Sequence, residues 1–254
     1  MKTLFLGSGY LGDYYRRLYP YSIHTSRSKE KLRHLGRGMV FNSELPETWR
    51  NIAMLKPEGI IISFPLDSCS NPIELDSFLR TLTDKIVIIG STSAFRSDLK
   101  LITDESPIDS SNKRAAVEER FRLRGAVVLH SAGIYGEGRN PLDWIRKGMI
   151  KDTAGSVNLI HAEDLARACN FLLEDFRPSE RYVLSDSQSY RWQDIMNYAL
   201  ERKLLLESQL PVFGKSSSPA PVKRVIRPCR LREEGFRLKH PELFEELRKL
   251  EELA

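Results

Sequence analysis

Apolar residues in this chain come in short runs separated by amphipathic stretches, and the two alternate through the first 185 residues. The runs predict strands at Lys2–Leu6, Ser22–Thr25, Met39–Phe41, Gly59–Ser63, Lys85–Ile89, Ala126–His130 and Arg181–Leu184. Ile60–Ile62 and Ile86–Ile89 are continuous β-branched runs without polar alternation. Strands buried on both faces read this way, which predicts a parallel sheet with helices on each side. Helical patterns fill the intervals at Leu11–Leu18, Lys29–Leu35, Leu75–Leu82, Arg114–Leu123 and Glu163–Leu173. The alternation predicts a doubly wound α/β domain over residues 1–185 that binds its ligands beyond the carboxyl ends of the strands. After residue 185 the pattern changes. Trp192–Arg202 predicts a helix, Gly214–Pro221 a loop, and Pro241–Leu250 an amphipathic closing helix carrying Leu243, Leu247 and Leu250. Residues 186–254 are expected to form a small substrate-binding lobe, with a cleft between it and the sheet.

The turn between the first strand and the first helix reads Gly7-Ser8-Gly9-Tyr10-Leu11-Gly12. In that setting a G-x-G-x-x-G pattern binds the pyrophosphate of a dinucleotide on a Rossmann sheet. Gly7 permits the tight turn, Gly9 lets the backbone approach the phosphates, and Gly12 lets the helix pack on the strand. The helix N-terminus then aims free N–H groups and a positive dipole end at the anion. An NAD site places a carboxylate at the tip of the second strand to hold the ribose 2′-hydroxyl. This chain has Ser26-Arg27-Ser28 there. A guanidinium flanked by hydroxyls suits a 2′-phosphate, so the expected cofactor is NADP, held in part by Arg27 and Ser28. The alternative is that Arg27 is a solvated turn residue.

Composition narrows the class. A chain of 254 residues with 41% hydrophobic and 29% charged residues has the makeup of a folded globular protein with one large core, or one core with a small appended lobe. No apolar run is long enough to span a bilayer, and the first one stops at Gly7, too soon for a secretory signal. Cys69, Cys169 and Cys229 are odd in number and lack metal-type spacing, so no metal site is expected and the compartment is expected to be the reducing cytoplasm. Net charge is +5, and Lys223, Arg224, Arg227, Arg230, Arg232, Arg237 and Lys239 concentrate it late in the chain. No aromatic platform is interleaved with them, so nucleic acid is not an expected partner, and the short apolar runs leave no membrane partner expected. The run is either a solvated face or one wall of a cleft for an anionic small molecule. A monomer or homodimer is expected.

Four segments carry a family likeness. The glycine motif with Arg27 is the first. Ile88-Ile89-Gly90-Ser91-Thr92-Ser93-Ala94-Phe95 reads as a fifth strand followed by a Ser/Thr loop. Ser131-Ala132-Gly133-Ile134-Tyr135-Gly136-Glu137-Gly138-Arg139 and Asn158-Leu159-Ile160-His161-Ala162-Glu163-Asp164-Leu165-Ala166 complete the set. In this order and at this spacing the chain resembles the extended short-chain dehydrogenase/reductase superfamily, the NAD(P)-dependent epimerase/dehydratase group. The resemblance covers about residues 1–200. It implies an oxidoreductase or epimerase-like activity, a Ser/Thr active-site loop, and a third segment lying beside the nicotinamide. It also exposes a departure. The family's catalytic Tyr-x-x-x-Lys falls on Ser110 and Arg114, or with a one-residue shift on Asp109 and Lys113, and neither alignment supplies a tyrosine. That chemistry needs a phenol whose pKa a neighbouring ammonium lowers.

The remaining candidates follow from position. Thr92 and Ser91 would hydrogen-bond a substrate carbonyl or hydroxyl, or else cap their loop. Ser63-Phe64-Pro65 follows the fourth strand, where the cofactor's ribose should pass, although Pro65 also suits a strand end. Asn42 ends the third strand and could meet the adenine or serve as turn chemistry. Tyr135 and His161 are the phenol and imidazole best placed to replace the missing tyrosine; the competing readings are packing for Tyr135 and a helix boundary for His161. Two functions stand: an NADP-dependent enzyme acting on a small polar or anionic substrate, or an NADP-binding sensor or interaction module without turnover.

Overall fold

The computed structural model describes residues 1–33, 38–150, 155–210 and 223–252. In chain order its strands are β1 (Thr3–Leu6), β2 (Ile23–Ser26), β3 (Gly38–Val40), β4 (Gly59–Ile62), β5 (Ile86–Ser91), β6 (Leu101–Ile102), β7 (Val127–Ser131), β8 (Gly133–Tyr135), β9 (Ser156–Val157), β10 (Leu159–His161), β11 (Arg181–Leu184), β12 (Tyr190–Arg191) and β13 (Val225–Ile226). The helices are α1 (Tyr10–Leu18), α2 (Lys29–Leu32), α3 (Pro72–Arg80), α4 (Lys113–Leu123), α5 (Pro141–Arg146), α6 (Ala162–Glu174), α7 (Trp192–Glu201), α8 (Arg230–Glu233) and α9 (Leu243–Glu252).

A seven-stranded sheet runs in the order β11-β7-β5-β4-β1-β2-β3, with every neighbouring pair parallel. Each of its strands falls where an apolar run predicted one, displaced at most slightly at its ends. The alternation of side chains splits the core. Phe5, Ile61, Val87 and Ile89 face α1 and α6, while Leu4, Ile60, Ile62, Ile86 and Ile88 face Leu75 and Leu79 of α3 and Phe121 of α4. Strand order reverses around β1, which has β4 on one side and β2 on the other. In doubly wound sheets the crevice beyond the carboxyl ends at such a reversal is where ligands bind.

Helix starts explain the differences from the predicted spans. Asn71 caps α3 by accepting the Glu74 N–H, with Pro72 as the first helical residue, so α3 begins one turn earlier than its leucines suggest. Asn112 caps α4 through the Ala115 N–H. α5, which the periodicity did not reveal, carries a full capping box between Asn140 and Asp143. The end of the helix predicted over 29–35, past residue 33, and the loop predicted over 214–221 lie outside the described residues.

The late segments do not all pack together. Ile226, Leu231 and Phe236 join the core on the α1/α6 side of the main sheet. Ile195, Met196, Leu243 and Leu247 of α7 and α9 instead pack with Leu142, Ile145 and Tyr135. Two buried carboxylates tie these segments down. Asp104 accepts the N–H groups of Val183, Cys229 and Arg230. Asp164 accepts those of Lys239 and His240 and pairs with Arg167. No helix among the described residues is long and apolar enough to cross a membrane.

Candidate functional site

The glycine loop is held by the strands on either side of it. Gly7 has φ +89°, a left-handed conformation that glycine tolerates without a Cβ penalty. Its N–H donates to Thr25 Oγ1 at 3.1 Å and the Ser8 N–H to the Thr25 carbonyl at 2.8 Å. From the β4 side, Ser63 Oγ donates to the Gly7 carbonyl at 2.6 Å. A Cβ on Gly12 would lie 3.1 Å from Ser8 Oγ and 3.4 Å from Phe5, so this glycine brings α1 close to β1. A Cβ on Gly9 would meet nothing within 4 Å. Open space therefore lies over the N-terminus of α1, where no side chain caps the free N–H groups.

Ser8 has a second fixed partner. Ser22 Oγ donates to the Tyr19 carbonyl at 2.6 Å and so accepts from His24 Nε2 at 2.8 Å. His24 Nδ1 is then an acceptor, and the Ser8 hydroxyl donates to it at 2.6 Å. Burial, and secondarily Arg16, lowers the His24 pKa to about 4. His130 is lowered to about 3 and His161 to about 4, chiefly by burial as well. The unfolded chain thus takes up protons below about pH 6.5 that the folded chain refuses. Burial raises Asp186 to about 7 and also raises Glu118, which works the other way, but three histidines outweigh two carboxyls, so stability should fall as pH drops through that window. Urea midpoints at pH 7 and pH 5 check this, and a higher midpoint at pH 5 would contradict it.

A cleft of about 510 Å³ opens from the glycine loop toward β2 and β3. Gly7, Ser8 and Gly9 form one end, and Phe41, Phe64 and Pro65 form the apolar wall. Ser26, Arg27, Ser28, Lys31 and Ser43 bring donors to the far end. Arg27 and Lys31 are exposed, and neither has an ion pair among the described residues. Asn42 is not part of this wall. Its side chain accepts the Glu44 N–H and its carbonyl accepts from Trp49 Nε1, so it builds the turn after β3. A smaller pocket of about 150 Å³ continues from Gly7, Gly9, Tyr10 and Leu11 to Ser63, Ile89, Ile134 and Arg139. The sequence reading missed Lys31, Ser43 and the role of Thr25. Lys31 comes from α2 just past the Ser28 cap and Arg27 from the residue before that cap, so the turn at the tip of β2 brings both to the cleft.

Beyond this pocket, Ser91 accepts the Ser93 N–H at 3.2 Å and the Ser93 hydroxyl at 3.0 Å, capping a short turn over Thr92–Ala94. Thr92 is half-buried beside it. Tyr135 and His161 lie deeper. Tyr135 is fully buried, its hydroxyl has no partner, and burial pushes its pKa up. His161 Nδ1 accepts the Glu163 N–H and so caps α6. Its ring meets Tyr14 and Tyr135 edge-on and lies 3.8 Å from that of His240. An orphaned buried hydroxyl costs stability. Tyr135→Phe is therefore expected to raise the unfolding free energy by about 1 kcal/mol in urea titration, and a loss of that size would contradict the packing seen here.

No family model matches the chain, and no curated protein does. Solved structures do. A Methylobacillus flagellatus protein assigned as an NAD-dependent epimerase/dehydratase aligns with TM-score 0.77 at 22% identity, covering 98% of this chain and 97% of that one. The Bordetella bronchiseptica enzyme WbmG, in complex with NAD, aligns with TM-score 0.76 at 14% identity over 100% of this chain and 94% of its own. A UDP-glucose 4-epimerase from Thermotoga maritima, with UDP-glucose, gives 0.76 and 14% over 99% and 98%. The chain has the fold of the NAD-dependent epimerase/dehydratases.

That fold gives the residues aligned with Tyr-x-x-x-Lys a place. Ser110 is exposed in the turn ahead of α4. Arg114 is in the first turn of the helix, but its guanidinium is engaged. Nε pairs with the buried carboxylate of Glu118 at 2.6 Å, and an NH2 group donates to the Ile89 carbonyl at 2.8 Å. Behind them the buried His130 approaches Glu118 at 3.8 Å. A Cβ on Gly90 would lie 2.5 Å from His130 Nδ1 and 2.8 Å from Glu118 Oε2, so glycine at 90 makes room for this buried polar set. The late basic run is mostly engaged too. Arg224 donates to the carbonyls of Phe95, Arg96 and Leu99, Arg230 pairs with Glu105 and Glu180, and Lys239 pairs with Glu163.

Proposed function

We propose that this chain binds NADP along the cleft and acts as an oxidoreductase or epimerase-like protein on a small polar or anionic substrate. One observation carries the cofactor choice: Arg27 and Lys31 stand with Ser26, Ser28 and Ser43 at the end of the cleft where the adenosine ribose would lie. Two unpaired cations and three hydroxyls suit a 2′-phosphate; no carboxylate occupies the tip of β2, and the carboxylate in the lining, Glu44, comes from the turn after β3. The residues fit the group at the other end as well. Open space over Gly9 and free N–H groups at α1 suit a pyrophosphate, and Phe64 and Pro65 wall the path between. Neighbours crystallised with NAD support a nicotinamide dinucleotide, and the one holding UDP-glucose supports a polar, phosphorylated substrate. The nicotinamide would supply or accept hydride. Ser91 and Thr92 would orient the substrate from the end of β5. Free thiols at Cys69, Cys169 and Cys229 support a reducing, cytoplasmic compartment.

A second reading, an NADP-binding sensor without turnover, is favoured by one observation. A hydride acceptor needs a proton donor at its oxygen, and Tyr135 and His161 are both buried away from the lining of the cofactor pockets. We assign both of them structural roles. Screening NADPH oxidation against aldehydes, ketones and nucleotide sugars separates the readings. Turnover that drops with Thr92→Ala supports the enzyme; tight NADPH binding with no turnover on any of them supports the sensor.

A further inference from the structure

We propose that Arg139 is a cofactor ligand that closes over the pyrophosphate from the side opposite the glycine loop. The inference rests on the cofactor reading above and adds a residue to it. Arg139 lines the same small pocket as Gly7, Gly9, Tyr10 and Leu11. It stands over the Tyr10 ring, 5.4 Å from its centroid, and is exposed. Among the described residues it has no ion pair and no side-chain hydrogen bond, although Arg17, its neighbour on the same face, is paired with Glu137 at 3.1 Å. A free guanidinium beside an uncapped helix N-terminus concentrates positive charge at one point. A pyrophosphate carries the complementary charge and the paired oxygens that a guanidinium grips with two parallel bonds.

The turn carrying Arg139 is built to hold it there. Gly136 and Arg139 exchange backbone hydrogen bonds of 2.9 and 3.1 Å, closing a tight two-residue loop in which Gly138 has φ +68°. The loop is fastened to α1, the same helix whose N-terminus faces the pocket. Tyr14 Oη accepts the Glu137 N–H at 2.8 Å. A Cβ at Gly136 would lie 2.5 Å from Tyr14 Oη and 2.7 Å from Tyr10 Oη, so only glycine lets the turn sit this close. Arg139 and the glycine loop are thus positioned by one helix.

Calorimetry or NMR titration with two fragments tests this: 2′-phospho-ADP-ribose, which has the pyrophosphate, and 2′-AMP, which lacks it. Arg139→Ala should weaken the first about tenfold or more and leave the second unchanged. Arg139→Lys should fall between wild type and alanine, because a point charge keeps the attraction but not the paired bonds. Gly136→Ala should reproduce the alanine pattern by pushing the turn off α1, and retained 2′-AMP binding shows that either variant is folded. Equal losses for both fragments, or no loss for either, would overturn the role of Arg139 alone. Binding of neither fragment by the wild-type chain would overturn the cofactor reading itself.

Discussion

Arg27→Ala should weaken NADPH binding about ten- to a hundredfold while leaving NADH binding unchanged, a loss of about 1.5–3 kcal/mol. The side chain is exposed at the end of the cleft and makes no competing ion pair among the described residues, so its removal creates no buried defect. The effect should therefore appear in binding and not in stability. Lys31→Ala should produce a smaller loss of the same selectivity, since an ammonium offers charge without the fork of donors. Both losses should shrink at high salt, because the pair faces solvent. An Arg27→Ala variant that lost NADH and NADPH affinity equally would place the residue elsewhere on the cofactor.

Arg114→Ala should cost stability, by about 3 kcal/mol or more at neutral pH. Arg114 is the ion-pair partner of Glu118, which lies in the core against His130. Burial already holds the Glu118 carboxyl above its ordinary range, against the opposing pull of Arg114. Without the guanidinium its folded-state pKa rises further. A carboxyl with a raised folded pKa penalises the native state above its unfolded pKa, and the penalty disappears as pH falls below it. The deficit of the variant relative to wild type should therefore narrow from pH 7 to pH 5, and Glu118→Gln in the same background should recover much of it. Urea unfolding of the three proteins at both pH values checks this. A deficit that stays constant or widens toward pH 5 would contradict the ion pair. Comparing variant with wild type at each pH cancels the contributions of His24 and His161, while loss of Arg114 eases protonation of His130 and narrows the deficit in the same direction.

The sheet was legible because its signal is local. Ile60–Ile62 and Ile86–Ile89 have one stable environment, a strand covered on both faces, and the structure provides it. The glycine motif was legible because a positive φ at Gly7 and the close approach at Gly12 leave few residue choices. What stayed hidden depends on partners distant in sequence. Nothing near Asp104 announces that it accepts three N–H groups from Val183, Cys229 and Arg230. The basic run from Lys223 to Lys239 left a solvated face and a cleft wall equally open; Arg230 and Lys239 are matched to Glu105, Glu180 and Glu163, which lie far back in the chain, while Arg232 and Arg237 line a cavity of about 380 Å³. The sequence leaves catalysis and packing both open for Tyr135, and catalysis and a helix boundary for His161; the two side chains meet in an aromatic cluster with Tyr14 and His240, contacts that only the fold brings together. Strand position fixes where a residue begins, and packing decides which way it faces.

The most direct measurement is calorimetric titration of the wild-type chain with NADPH and with NADH at one ionic strength. NADPH should bind at least about tenfold more tightly, through Arg27 and Lys31. Equal affinity for the two, or tighter binding of NADH, would contradict the assignment of this cleft to NADP.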